Sequence, residues 1–176
     1  MANWTTAYLS IGSNKGNKVE NLLKAINCLE KAENIRLIAV SGFYRTAPQN
    51  FKDQDWFVNA ALKVETQCGP EALLDLLKAI ETDLDKDGKP FRFGPRVIDL
   101  DIIYFDTLAL KTDRLELPHP RMHERNFVLK PLSDIAKDLA HPVLNKTTDE
   151  LLQQIKTDED QAVIPLDQEE MREIFY

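Results

Sequence analysis

The chain has 176 residues, 43% of them hydrophobic and 29% charged, with a formal net charge of −7. That is enough for one domain with a hydrophobic core, and the acidic balance argues against a general nucleic-acid binder, which is normally basic. No apolar run approaches the roughly 20 residues of a membrane span, and the start Met1-Ala2-Asn3-Trp4-Thr5 lacks the basic and apolar segments of a signal peptide.

In chain order, residues 5–11 suit a short strand that ends at the turn Gly12-Ser13-Asn14-Lys15-Gly16. No Gly-Lys-Ser/Thr closes that turn, so it is not a Walker A loop. Leu22, Ile26 and Leu29, with Leu23 beside them, recur at helical spacing over residues 17–32. Cys28 falls within this pattern. It and Cys68 lie far apart and form no metal pair, so reduced thiols and a cytoplasmic location are expected. Residues 35–44 are β-rich, and 46–55 form a long polar loop. Residues 56–65 alternate: Trp56, Val58, Ala60, Leu62 and Val64 share one face, and Phe57, Asn59, Ala61, Lys63 and Glu65 the other.

Gly69-Pro70 opens a second helix with Pro at its first position. Leu73, Leu74, Leu77, Ile80 and Leu84 supply its buried stripe. A polar loop over 85–96 leads to the strongest strand, 97–105. After Pro118 and Pro120 comes Phe127-Val128-Leu129, then short helical patterns near 131–138 and 147–156. The last twenty residues have no assignable pattern. The order β-α-β-β-α-β predicts one α+β domain over 1–176, a ferredoxin-like antiparallel sheet with both helices on one face and additional C-terminal elements. A monomer is expected, because no exposed apolar stripe is evident.

The sharpest chemistry lies in Val97-Ile98-Asp99-Leu100-Asp101-Ile102-Ile103-Tyr104-Phe105. Alternation sends Ile98, Leu100, Ile102 and Tyr104 toward the helices, and Asp99 and Asp101 to the opposite face, side by side. Two neighbouring carboxylates repel each other. A divalent cation would offset that repulsion, and Mg²⁺ favours a few carboxylates together with phosphate oxygens. The plainer alternative is a solvated sheet surface with salt-bridged acids. Lys86, Lys89, Arg92, Arg96, Lys111, Arg114, Arg121 and Arg125 crowd one third of this acidic chain. They suit a pocket for a small polyanion, or else a merely solvated surface.

The run Phe93-Gly94-Pro95-Arg96-Val97-Ile98-Asp99-Leu100-Asp101-Ile102 resembles the signature of hydroxymethyldihydropterin pyrophosphokinases, a family of folate biosynthesis. Tyr8-Leu9-Ser10-Ile11-Gly12-Ser13-Asn14, Phe43-Tyr44-Arg45-Thr46, Asn59-Ala60-Ala61, Leu117-Pro118-His119-Pro120-Arg121-Met122 and Arg125-Asn126-Phe127-Val128-Leu129 match in order and spacing. The resemblance implies ATP as co-substrate, a hydroxymethyl-dihydropterin as acceptor, AMP as product and two Mg²⁺ on Asp99 and Asp101. It implies a pterin between Phe57 and Phe127, paired with Asn59 and contacted near Gly12, Thr46, Ala47 and Phe93. It implies nucleotide or phosphate contacts from Lys86, Arg96, Ile102, Arg114, His119 and Arg125. Arg92 would act with Arg96 after a loop closes.

The family's usual Gly-Arg-x-Arg stretch is here Asp85-Lys86-Asp87-Gly88-Lys89, and Phe replaces the common Trp at 93 and the common Tyr at 57. The altered 85–89 stretch makes a pterin- and nucleotide-binding protein weakened in transfer the rival reading; the two Phe replacements leave the substrate assignment untouched. An RNA-binding module of the same fold suits the paired acids poorly. Taken singly, Phe127 suits a core, Phe57 an exposed aromatic, His119 a satisfied histidine and Asn59 a strand contact. A zinc site from His119 and His123 is disfavoured by the intervening Pro120.

Overall fold

The structure is a computed structural model and describes residues 3–49, 52–86, 94–156, 158–167 and 170. Its centre is β1 (Thr5–Ser13), flanked antiparallel by β4 (Phe57–Thr66) and β5 (Asp99–Phe105). The far edge of β4 is shared. β2 (Ile35–Val40) pairs with its C-terminal half and β3 (Tyr44–Thr46) with its N-terminal half. The predicted single run over 35–44 thus breaks at Ser41-Gly42-Phe43, where the Ser41 hydroxyl accepts from the Ala61 N–H and donates to the Gly42 carbonyl.

Helices α1 (Lys18–Glu30) and α2 (Pro70–Leu84) cover one face. Asn17 caps α1 by accepting from the Glu20 N–H, and Pro70 starts α2 where no donor is needed. Leu22, Leu29, Leu73 and Leu77 are wholly buried against Leu9, Ile11, Leu62 and Leu100 of the sheet. Each such leucine contributes about 1.5–3 kcal/mol. This βαββαβ core is the expected ferredoxin-like α+β fold. β6 (Leu110–Lys111) and β7 (Glu116–Leu117) form a small separate ribbon.

Three expectations fail here. First, Tyr104 does not face α1 and α2. Leu9 pairs with Ile102 and Tyr8 with Tyr104, so Ile103 is an extra residue in β5. The bulge turns Ile103 and Tyr104 to the second face and returns Phe105 to the first. Second, that second face is not fully open. Phe127-Val128-Leu129 is the first turn of α3 (Asn126–Ala136), with Pro131 inside it, and not a segment preceding a helix. α3 and α4 (Thr148–Gln153) bury Val128, Leu129, Leu132 and Leu151 on Tyr8, Ala61, Ile103 and Tyr104. Third, the chain's end is not irregular throughout: β8 (Val163–Pro165) pairs with β3, giving the sheet order β5-β1-β4-β3-β8.

Among the described residues no helix is long and apolar enough to cross a membrane.

Candidate active site

Where α3 stops short of the N-terminal end of β4, a cavity of about 320 Å³ opens on the second face. Gly12, at the end of β1, lies in register with Asn59 of β4 on one side and Asp99 of β5 on the other. A Cβ at position 12 would collide with the Asn59 amide oxygen, so glycine is required for that close approach. Asn59 is buried and donates to the Thr46 hydroxyl at 2.6 Å. Phe57, Asn59, Thr46 and Ala47 form one end of the cavity with Phe127 from α3. The Arg96 and Arg125 guanidinium groups lie 5.9 and 5.6 Å from the Phe57 and Phe127 ring centres.

The other end is charged. Asp99 and Asp101 are half-buried on β5 and both line the cavity. Arg96 Nη1 sits 2.6 Å from Asp99 Oδ2. Asn14 fixes the backbone beneath this pair. Its Oδ1 accepts from the Arg96 N–H at 2.9 Å, and its amide nitrogen donates to Gln54 Oε1 and to the Asp55 carbonyl. From the opposite side, buried Glu81 of α2 accepts from the Leu100 N–H at 2.7 Å, holding the edge strand between the two aspartates. Lys78 Nζ lies 3.0 Å from the same carboxylate. Burial opposes the Lys78 charge, but Glu81, helped by Asp101 and Asp99, outweighs it and raises the pKa.

His119 lines the cavity above these acids. Burial, helped by the Arg125 charge, pushes its pKa down to about 4. Nδ1 accepts from the Arg121 N–H at 3.2 Å, so the proton of the neutral ring sits on Nε2. Burial also lowers the Arg125 pKa, with Arg121 adding repulsion, and buried Nε of Arg125 has no hydrogen-bond partner among the described residues. A buried donor without a partner beside two acids suits an anionic ligand. No group of three or more His, Cys, Asp or Glu suited to a metal occurs among the described residues. Two convergent carboxylates fit a hard cation that takes its remaining oxygens from a phosphate ligand.

The profile of the family described as 7,8-dihydro-6-hydroxymethylpterin-pyrophosphokinase (HPPK) matches residues 8–137. The chain belongs to this family. A 2-amino-4-hydroxy-6-hydroxymethyldihydropteridine pyrophosphokinase of Methylorubrum extorquens is 44% identical over 77% of this chain and 85% of its own length. The folic acid synthesis protein FOL1 of Dictyostelium discoideum is 49% identical over 82% of this chain. The chain spans only 22% of that longer protein. In fold it is similar to the Plasmodium falciparum HPPK-DHPS wild-type structure with pteroate, with a TM-score of 0.70 at 16% identity, covering 86% of this chain and 42% of that one.

Most of the residues that the HPPK resemblance singles out converge on one cavity: Gly12, Thr46, Ala47, Phe57, Asn59 and Phe127, with Arg96, Asp99, Asp101, His119 and Arg125. Three do not. The Ile102 side chain is buried in the core against α1 and α2. Arg114 is exposed and paired with Asp75 and Glu71 of α2. Lys86 is exposed and does not line the cavity. Arg92 and Phe93 lie outside the described residues. The basic cluster therefore disperses: Lys111 and Arg121 pair with Glu116 and Glu124 at the surface.

Gln49, Gln54 and Lys78 also line the cavity and escaped the sequence reading. For Lys78 a signal existed: Glu81 interrupts the apolar stripe of α2 three residues later, where a buried acid needs a partner.

Proposed function

We propose that the chain transfers the terminal pyrophosphate of ATP to the hydroxyl of 6-hydroxymethyl-7,8-dihydropterin, releasing AMP, with two Mg²⁺ at Asp99 and Asp101. The observation that carries this reading is one cavity with aromatic and amide groups on the β3–β4 side of β1, the two acids on its β5 side, and Arg96 and Arg125 beside the rings. A flat heterocycle suits stacking on Phe57 and Phe127. Its polar edge suits the Asn59 amide oxygen, since the amide nitrogen is already engaged by Thr46. A polyphosphate suits Arg125, whose Nε lacks a partner among the described residues, together with Arg96 and the Nε2–H of His119.

In this reading the pterin hydroxyl gives up its proton to solvent water as its oxygen attacks the β-phosphorus, and the bond from that phosphorus to the oxygen of AMP breaks, with the electron pair leaving on AMP. The bound ions would lower the pKa of the attacking hydroxyl and neutralise charge on the phosphates. The chain's own part is positioning and electrostatics. Phe57, Phe127 and Asn59 orient the acceptor. Arg96 and Arg125 stabilise charge developing on the phosphates. His119, neutral at pH 7, donates a hydrogen bond without adding charge. Arg92 is assigned to the phosphates and Phe93 to the pterin from the sequence alone.

The test is ³¹P NMR of the products. Incubation with ATP, Mg²⁺ and the hydroxymethyl-dihydropterin should give AMP and a pterin diphosphate in equal amounts. ADP with a pterin monophosphate, or AMP formation that does not need the pterin, would refute the reaction.

A further inference from the structure

The family match ends at residue 137, yet the segment 158–167 returns to β3, whose Thr46 lines the cavity. β8 turns β3 from an edge into an internal strand, with Thr46 paired to Val163 and Tyr44 to Pro165. The Ala47 N–H donates to the Ala162 carbonyl at 3.1 Å, and the Leu166 N–H to the Phe43 carbonyl at 2.9 Å. The strand that carries Thr46 is thus hydrogen-bonded on both sides.

Gln161 joins this strand to the opposite wall. Its Oε1 accepts from Gln49 Nε2 at 2.9 Å and from the Asn126 N–H at 3.0 Å. Its Nε2 donates to the Glu124 carbonyl at 2.9 Å, and its own carbonyl accepts from Asn126 Nδ2 at 2.8 Å. Gln49 lines the cavity on the β3 side, and Asn126 is the first residue of α3, between Arg125 and Phe127. α3 has no cap of its own, because Arg125 stands at the capping position and makes no side-chain bond there. Gln161 supplies the missing acceptor from 35 residues further along the chain. The arrangement needs an oxygen that accepts twice and a nitrogen that donates once, at one side-chain length. A carboxylate would face the Glu124 carbonyl with no proton to give. The exposed Lys52–Asp160 pair at 2.7 Å adds little to this tie.

We infer that Gln161 is a positioning residue for the acceptor substrate: it sets the separation of the β3 wall and the start of α3, and so the width of the slot beside Phe127. The inference rests on the reading of that end as the pterin site. Without Gln161 the slot must be ordered at each binding event, which weakens pterin binding directly and ATP binding less, through Arg125 beside Asn126.

The experiment compares the full-length protein with Gln161→Met, which keeps side-chain length and loses the hydrogen bonds, and with Gln161→Glu. The quantities measured are KM for the hydroxymethyl-dihydropterin, KM for ATP, the Kd of the pterin by fluorescence and the thermal midpoint. In Gln161→Met the pterin KM and Kd should rise about tenfold, with the ATP KM rising less and the midpoint falling only by what the loss of a helix cap costs. Gln161→Glu should be weaker still. Adding Gln49→Met to Gln161→Met should cost little more, because the bond between them is already gone. Unchanged pterin constants would overturn the inference. So would an equal rise in both KM values that tracks the fall in midpoint, since that marks a general scaffold role. A wild-type protein that neither binds the pterin nor forms AMP would instead remove the parent reading, and would do so before any variant is compared.

Discussion

A methyl group at position 12 has no room, because the Asn59 amide occupies its place. Gly12→Ala should push Asn59 aside, break its 2.6 Å bond to Thr46 and disturb the aromatic end of the cavity. The overpacking should cost about 1–3 kcal/mol of stability in denaturant titrations, and pterin affinity should fall with it. In the sequence Gly12 reads as a turn residue, and as a pterin contact by resemblance; its steric constraint stays hidden because it comes from a strand 47 positions away.

His119 makes a second residue-scale prediction. Its pKa is lowered from 6.5 to about 4, first by burial and then by Arg125. Between those values the unfolded chain binds more protons than the native protein, so stability rises with pH across that window. The contribution is whole above about pH 6.5 and is lost as pH falls toward 4. An NMR titration checks it: the His119 ring should still be neutral at pH 5.5, and a ring charging near pH 6.5 would contradict the burial argument. Arg114 lies apart from the cavity lining. Its motif position suggested a phosphate contact, but its guanidinium is taken by Asp75 and Glu71, a carboxylate pair four residues apart on a helix that no local pattern connects to it.

At the scale of elements, period and punctuation located α1, α2, β1 and β4 because each buries a regular face of local residues. The bulge at Ile103 was invisible, since both Ile103 and Tyr104 suit either face and only pairing with Tyr8 and Leu9 decides. α3 was misplaced because Pro131 reads as a helix start, whereas the helix continues through it. α3 is tied to the sheet by Asp134, which accepts from the Tyr44 hydroxyl at 2.8 Å and the Gly42 N–H at 3.1 Å. Burial, then the Asp134 hydrogen bond, raise the Tyr44 pKa from 10.0 to about 12. Here the native state holds its proton longer than the unfolded chain, so this contribution is complete below pH 10 and is lost as pH rises toward 12. Asp134→Ala should cost about 1–3 kcal/mol through two partners left unsatisfied. Ultraviolet titration should show the Tyr44 phenol ionising closer to the ordinary value of about 10. An unchanged titration would mean that Asp134 does not hold the phenol.

At the scale of the molecule, a chain with a net charge of −7 gathers two aspartates, Arg96, Arg125, His119 and two aromatic rings around one cavity. The acid pair was legible because strand alternation is local, and Asp99 and Asp101 share a face wherever the strand lies. The return of residues 158–167 was not, because its partners on β3 and α3 lie far off in sequence and its own pattern is too short to announce a strand. The central claim is that the two aspartates hold the ions that serve phosphoryl transfer at the cationic end. Its most direct test is the rate of AMP release by Asp99→Asn and Asp101→Asn at saturating ATP and pterin, across a Mg²⁺ titration. Each variant keeps its shape and loses one charge, so each should fall by at least about a hundredfold while pterin binding without nucleotide persists. AMP release at the wild-type rate in either variant would contradict the account.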